Sequence, residues 1–219
     1  MTQQYSRGLW VAFFGPDGVG KSTVIEQLEQ RLEPGFHGIL RFHFRPGFHR
    51  HGHDHPPVTQ PHAKQPRGVA VSFLKLIYWL ADCWFGYLTA VSPCRRRRGL
   101  VIFDRYLPDM LVDPTRYRLP ADCLQFAGWL TTFAPQPDLY VLLDAPAEVV
   151  QERKSELTLS ESRRQRAAYL KMFESLRCKL IVNADSPVND VAQNIGAALA
   201  SLHTNSVEHE PSLLCQPLS

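Results

Sequence analysis

The sequence predicts an α/β fold with a mainly parallel sheet, and three observations predict it. Five short runs are almost continuously apolar, as strands covered on both faces are. Segments of helical periodicity separate them, and such strand–helix alternation builds parallel sheets. A glycine-rich loop joins the first run to the first helical segment, where an open parallel sheet places its ligands.

The runs are Leu9–Phe14, Ile39–Phe44, Leu100–Phe103, Leu139–Leu143 and Leu180–Val182. A helix begins after Gly20 and repeats Val24, Leu28 and Leu32 on one face. Residues 45–68 are rich in proline, histidine and glycine and read as a long loop of the kind that often carries function. The longest apolar stretch, Val69 to Val91, is long enough to span a membrane, but Lys75 and Asp82 interrupt it. A buried helix is the expectation there. Thr158-Leu159-Ser160-Glu161 forms a capping box before a helix through Leu170, Phe173 and Leu176. The last helix opens on Ser186 and Pro187 and stripes Val188, Val191, Ile195 and Leu199. Residues 204–219 read as a loose tail.

With 219 residues, 44% hydrophobic and 21% charged, the chain has the composition of a folded globular protein and not of a disordered or collagen-like one. A net charge of +3 is too small to imply nucleic acid or a membrane surface as partner. Arg95–Arg98 is therefore expected to be a solvated turn. Five scattered cysteines without a CxxC pair fit neither a disulfide framework nor a zinc knuckle, and the run Leu9–Phe14 is too short for a secretory core. A reducing cytoplasm is the expected location.

The segment with the most chemistry is Gly15-Pro16-Asp17-Gly18-Val19-Gly20-Lys21-Ser22-Thr23, a full match to G-x-x-x-x-G-K-[ST] between a strand and a helix. Glycines let the backbone curl so that several N–H groups face one anion, and the helix start adds its positive dipole end. Lys21 would reach the β- and γ-phosphates and the Ser22 hydroxyl would ligate Mg²⁺. Asp17, a carboxylate beside bound phosphates, would accept a hydrogen bond from an acceptor hydroxyl; a solvent-facing loop aspartate is the alternative. Asp104 ends an apolar strand and would hold or orient the metal shell, with Arg105 beside it to neutralise transferring phosphoryl charge. Asp144 ends another strand and competes, but it has no adjacent cation and precedes a plain helix start at Ala145-Pro146. Arg153, Lys154, Arg163, Arg164 and Arg166 cluster around a Ser/Thr/Leu turn. On a hinged segment they would close over a triphosphate; a solvated helical face is the alternative.

Through Gly15–Thr23 with Asp17, Asp104-Arg105-Tyr106, Pro137-Asp138-Leu139 entering Leu142-Leu143-Asp144, and the arginines of Arg153 to Arg166, the chain resembles the thymidylate kinase family of P-loop nucleoside monophosphate kinases over about residues 8 to 202. The resemblance implies a three-layer P-loop NTPase fold: a five-stranded parallel sheet, helices on both faces and a small lid. The kinase domain would span residues 1–203, with 45–68 as an acceptor-side loop, 152–166 as the lid and 204–219 as a flexible tail. It further implies ATP and Mg²⁺ as cofactors. Gly15, Asp17, Gly18, Val19, Gly20, Lys21, Ser22 and Thr23 would bind the nucleotide, and Ser22 and Asp104 the metal. Lys21, Asp104, Arg105, Arg153, Arg163 and Arg166 would act in transfer. Asp17 would touch the acceptor's sugar hydroxyl, Arg105 its phosphate, and Tyr106 would join them.

Three departures bear on the acceptor. Phe44-Arg45-Pro46-Gly47 lacks the acid of the family's Arg-Glu-Pro-Gly. In Trp79-Leu80-Ala81-Asp82-Cys83, Trp79 would still stack on a flat ring, but Cys83 stands where the family has a phosphate-binding arginine. Leu107-Pro108-Asp109 replaces the base-reading polar pair, and Arg116 or Arg118 would supply the missing cation. His43, His49, His51, His53, His55 and His62 have ligating side chains, yet a proline-flanked loop lacks the fixed geometry a metal site needs, so a polar acceptor-side loop is the better reading. The expected activity is phosphoryl transfer from ATP to a nucleoside monophosphate such as dTMP, with neither nucleic acid nor membrane as partner and a homodimer left open. A P-loop kinase of a non-nucleotide small acceptor, or a non-catalytic nucleotide-binding switch, are the alternatives.

Overall fold

The computed structural model describes residue 5 and residues 7–46, 68–154 and 158–208. In it the strands β1 (Leu9–Phe14), β2 (Ile39–His43), β3 (Leu100–Asp104), β4 (Leu139–Asp144) and β5 (Lys179–Asn183) form one parallel sheet in the order β2-β3-β1-β4-β5. Helices cover it: α1 (Lys21–Leu32), α2 (Val69–Gly86), α3 (Ser92–Arg96), α4 (Asp109–Val112), α5 (Leu124–Thr131), α6 (Ala147–Arg153), α7 (Leu159–Glu174) and α8 (Val188–Glu208). This is the α/β, P-loop NTPase-like architecture that the sequence predicts.

The alternation of β1 accounts for the layering. Leu9, Val11 and Phe13 join a core with Val24, Leu28, Ile195 and Leu199 of α1 and α8. Trp10, Ala12 and Phe14 join a second core with Leu76, Met110, Ala127 and Phe173 of α2, α4, α5 and α7. Burying β1 on both faces stabilises the fold by about 1.5–3 kcal/mol for each large apolar side chain. It also fixes β1 at the sheet centre, so that the chain leaves its C-terminal end between β3 and β4. That edge is where an open parallel sheet gathers chemistry.

Several expectations need correction. The stretch from residue 69 is a continuous helix through a π-helical turn (Tyr87–Val91) into α3, but it is not a buried one. Leu76, Trp79 and Cys83 face the core, whereas Leu74 (69% exposed), Ile77 (54%) and Leu88 (62%) face outward. The stretch remains long and apolar enough to cross a membrane, and 33% of an 18-residue apolar window within it is buried. Arg95 is no solvated arginine: its Nη2 donates to Asp138 Oδ1 at 2.7 Å, and its backbone lies so close to Gly8 that a Cβ there would come within 2.4 Å. Helix α8 continues through Glu208, so the segment read as a tail begins helical; residues 209–219 lie outside the described residues. Among the described residues Cys83, Cys94 and Cys123 are free thiols, and Cys178 is disulfide-bonded.

Candidate active site

Between β1 and α1 the chain turns through Gly15 (φ 140), Gly18 (φ 85) and Gly20 (φ 99), a backbone that side chains resist. Each glycine has its own reason. A Cβ at Gly15 would stand 2.7 Å from the Leu143 carbonyl, and one at Gly18 2.7 Å from Lys154 Cβ, so the loop is wedged between β4 and the end of α6. A Cβ at Gly20 would meet nothing within 4 Å, so the space before the helix start is open. The first amides of α1 have no carbonyl within the helix to bond, and they suit an anion. Ser22 and Thr23 are exposed in this first turn. Val19, by contrast, is buried in the core and contributes packing.

Lys21 folds back over the loop, and Nζ donates to the carbonyls of Gly15 (2.8 Å) and Pro16 (2.9 Å). Burial lowers its pKa to about 8 and Arg105 works in the same direction, against the opposing pull of Asp104, Asp17 and Asp109. Asp104 ends β3 with Oδ1 buried and without a hydrogen bond, while His43 Nδ1 lies 3.8 Å from Oδ2. Burial favours the neutral acid at Asp104, yet His43, Lys21 and Arg105 outweigh it and hold the pKa at about 2. An ionised, buried oxygen with no donor is the environment a hard cation completes. Asp104 is therefore a residue that could hold a hard cation such as Mg²⁺. Asp144 differs, because Arg166 occupies both its oxygens at 2.7 and 2.8 Å. Among the described residues no group of three or more His, Cys, Asp or Glu makes a metal cage. His49, His51, His53, His55 and His62 lie outside the described residues.

Arg105 follows β3 at φ 70 with its side chain only 3% exposed. Nη2 donates to Asp17 Oδ1 at 2.5 Å, and Nη1 donates to both oxygens of Asp109 at 2.8 Å and to the Tyr169 hydroxyl at 2.8 Å. Arg116 Nη2 reaches the other oxygen of Asp17. Burial pushes the Asp17 pKa up, but Arg105, Lys21 and Arg116 together hold it well below the carboxylate range. Asp17, Lys21, Arg105 and Arg116 are thus one cluster beside the loop, and Asp17 is no solvent-facing aspartate.

Other expected residues lie elsewhere. Tyr106 is a core residue: its hydroxyl donates to the Pro135 carbonyl at 2.8 Å and its ring stands edge-on to Trp10 and Phe103, so it does not face the cluster. Trp79 is already covered. Lys75 Nζ sits 4.3 Å and Arg45 5.4 Å from its ring centre, and Phe44 and Tyr117 stand edge-on against it. Arg45 also donates to the buried Asp82 at 2.7 Å. Burial, reinforced by Asp82, pushes the Cys83 thiol up to about 12, so it offers no charge to an anion. The arginines expected in the lid pair with acids: Arg153 with Asp185, Arg163 with Glu148, and Arg166 with Asp144. Residues 155–157 between them lie outside the described residues.

Asp109, Tyr117 and Tyr169 complete the cluster, and sequence reasoning gave them no role. The i, i+4 spacing from Arg105 was the available signal for Asp109. For Tyr169, sixty residues away along the chain, there was none.

No family model matches the chain. It is 30% identical over 139 residues to the thymidylate kinase of Xanthomonas campestris pv. campestris, covering 64% of this chain and 57% of that protein. It is 33% identical over 115 residues to a probable thymidylate kinase of Pyrococcus abyssi, covering 49% and 55%. With the thymidylate kinase of Leifsonia xyli subsp. xyli the match runs over 204 residues at 28% identity, covering 88% and 94%. The similarity is to thymidylate kinases. The chain spans little more than half the length of the Xanthomonas and Pyrococcus relatives, and nearly all of the Leifsonia one.

Proposed function

We propose that the protein transfers the γ-phosphoryl group of ATP to a nucleoside monophosphate, with dTMP the first acceptor to test. The observation that carries the reading is the meeting of Lys21, Asp17, Arg105 and Arg116 at one loop, next to the free oxygen of Asp104. The likeness to thymidylate kinases supports the kinase class. On this reading an acceptor phosphate oxygen bonds to the γ-phosphorus as the β–γ bridging bond breaks, and ADP leaves. Lys21 exchanges its two carbonyl partners for phosphate oxygens, and the amides of the glycine loop hold the donor in line. Arg105 and Arg116, already aimed at the Asp17 carboxylate, take the charge that develops on the transferring group and the acceptor. Ser22 and Asp104 would hold Mg²⁺, which would supply neutralisation of phosphate charge. The arginines of α6 and α7 would leave their acid partners to close over the donor.

A second reading keeps the donor side and changes the acceptor to a non-nucleotide. It is favoured by the covering of Trp79, the ring expected to stack on a base. ADP release measured with dTMP, dUMP, CMP, AMP and small polyols, with Lys21→Ala as control, separates the two. Turnover with dTMP supports the first reading, and turnover with a polyol alone supports the second. Binding of ATP without turnover on any acceptor would leave a nucleotide-binding switch.

A further inference from the structure

Asp109 is fully buried, and its carboxylate accepts from three side chains, Arg105, Tyr117 and Tyr169. Arg105 Nη1 donates to Oδ1 and Oδ2, both at 2.8 Å. The Tyr169 hydroxyl donates to Oδ1 at 2.6 Å and the Tyr117 hydroxyl to Oδ2 at 2.7 Å. These donors come from three places: the end of β3, the arginine-rich helix α7, and the segment that carries Arg116. Burial and the Asp109 charge keep both phenols protonated, so they remain donors. A charge buried this deeply is tolerated only when its partners are fixed, and fixed partners are what hold a guanidinium to one direction. With Nη1 saturated by Asp109 and Tyr169, Nη2 is the end of Arg105 turned toward Asp17 and the glycine loop.

We infer that Asp109 is the positioning residue for Arg105, locking its guanidinium toward the transfer site and tying α7 and the Arg116 segment to the same point. The inference rests on the reading of Arg105 as a group that acts in phosphoryl transfer. Asp109 itself touches neither donor nor acceptor on this account. It acts through Arg105 alone, and that sets the test.

The full-length chain is compared with Asp109→Asn, which keeps the shape and removes the charge. A guanidinium released from its anchor should cost about 10- to 100-fold in kcat, with the KM for ATP within about twofold. In an Arg105→Met background the same substitution should cost nothing further, because the group it positions is gone. Labelling of Arg105 by phenylglyoxal, followed by mass spectrometry, gives a readout that needs no turnover. It should accelerate about tenfold in Asp109→Asn at unchanged circular dichroism. Tyr169→Phe, which keeps the Arg105–Asp109 pair but removes the one hydroxyl that bonds to both, should lower kcat about threefold and speed the labelling. It carries the test if Asp109→Asn does not fold. Wild-type kcat and labelling in whichever of these variants folds would overturn the inference. So would an equal loss from Asp109→Asn with and without Arg105. A wild-type chain that turns over no acceptor would end the kinase reading, and the labelling would still decide whether Asp109 holds Arg105.

Discussion

Arg166 grips Asp144 through two parallel contacts, Nε to Oδ1 at 2.7 Å and Nη2 to Oδ2 at 2.8 Å. On the other side of β1, Asp104 keeps Oδ1 buried and unbonded. The two strand-end carboxylates are alike in sequence and opposite in what they can still bind. Paired as it is, Asp144 anchors α7 to the sheet, and Asp104 is the one available to a cation.

That contrast gives the first prediction. Asp104→Asn should lower Mg²⁺-dependent turnover by about 100-fold or more, as loss of a charge-stabilising group does. Asp144→Asn should cost less than about tenfold, since it releases α7 without emptying the metal position. ADP release against Mg²⁺ concentration checks both. A heavier loss from Asp144→Asn would exchange the two roles.

Gly18 and Gly20 both hold a positive φ but differ in surroundings. Alanine at Gly20 faces open space, so its cost is the left-handed backbone, about 1–2 kcal/mol. Alanine at Gly18 adds a clash with Lys154 Cβ and must move the loop or the end of α6. Nucleotide affinity measured by calorimetry should therefore fall further in Gly18→Ala. If the two variants lose equally, the wedge against Lys154 does not matter.

Asp17 sets a pH dependence. Its folded-state pKa is depressed below that of the unfolded chain, so its contribution is fully present above about pH 4 and is lost as pH falls through the folded value. At pH 7, Asp17→Asn should be less stable than wild type by about 1–3 kcal/mol, the cost of leaving charged donors without their acceptor. The gap in Tm should narrow steadily from pH 4 downward. A gap that widens on acidification would reverse the sign of the argument.

The legible parts of the molecule were those carried by local pattern. All five strands lie within a residue or two of the apolar runs; burial on both faces explains this for β1, β3 and β4, whereas the edge strands β2 and β5 are apolar but partly exposed. Thr158 caps α7 through the Glu161 amide, as the capping box requires. The glycine loop was legible for the same reason. What was not legible depends on residues far apart in the chain, such as Tyr169 with Asp109 or Arg116 with Asp17. Tyr106 shows the opposite failure: standing beside Arg105 in sequence, it packs against Trp10 and Phe103 and bonds to the Pro135 carbonyl instead of joining the cluster. Helix α2 shows that an apolar run reports its composition and not its burial. Leu74 and Leu76 are two residues apart, and one is exposed while the other is sealed.

Those two leucines, together with Leu88, supply a stability test. Leu76→Ala should destabilise by about 2–5 kcal/mol in urea unfolding, as core truncations do. Leu74→Ser and Leu88→Ser should stay within about 0.5 kcal/mol, the range of surface changes. A large loss at Leu74 would mean that the outer face of the helix is covered. Exposed apolar faces of this kind mark contact surfaces.

The glycine loop as a phosphate cradle is tested most directly by calorimetric titration of the full chain with ATP in the presence of Mg²⁺, beside Lys21→Ala. Saturable binding to one site, weakened at least about tenfold in the variant, is the predicted result. Absence of binding to the wild-type chain at millimolar ATP, or equal affinity in the two proteins, would contradict it.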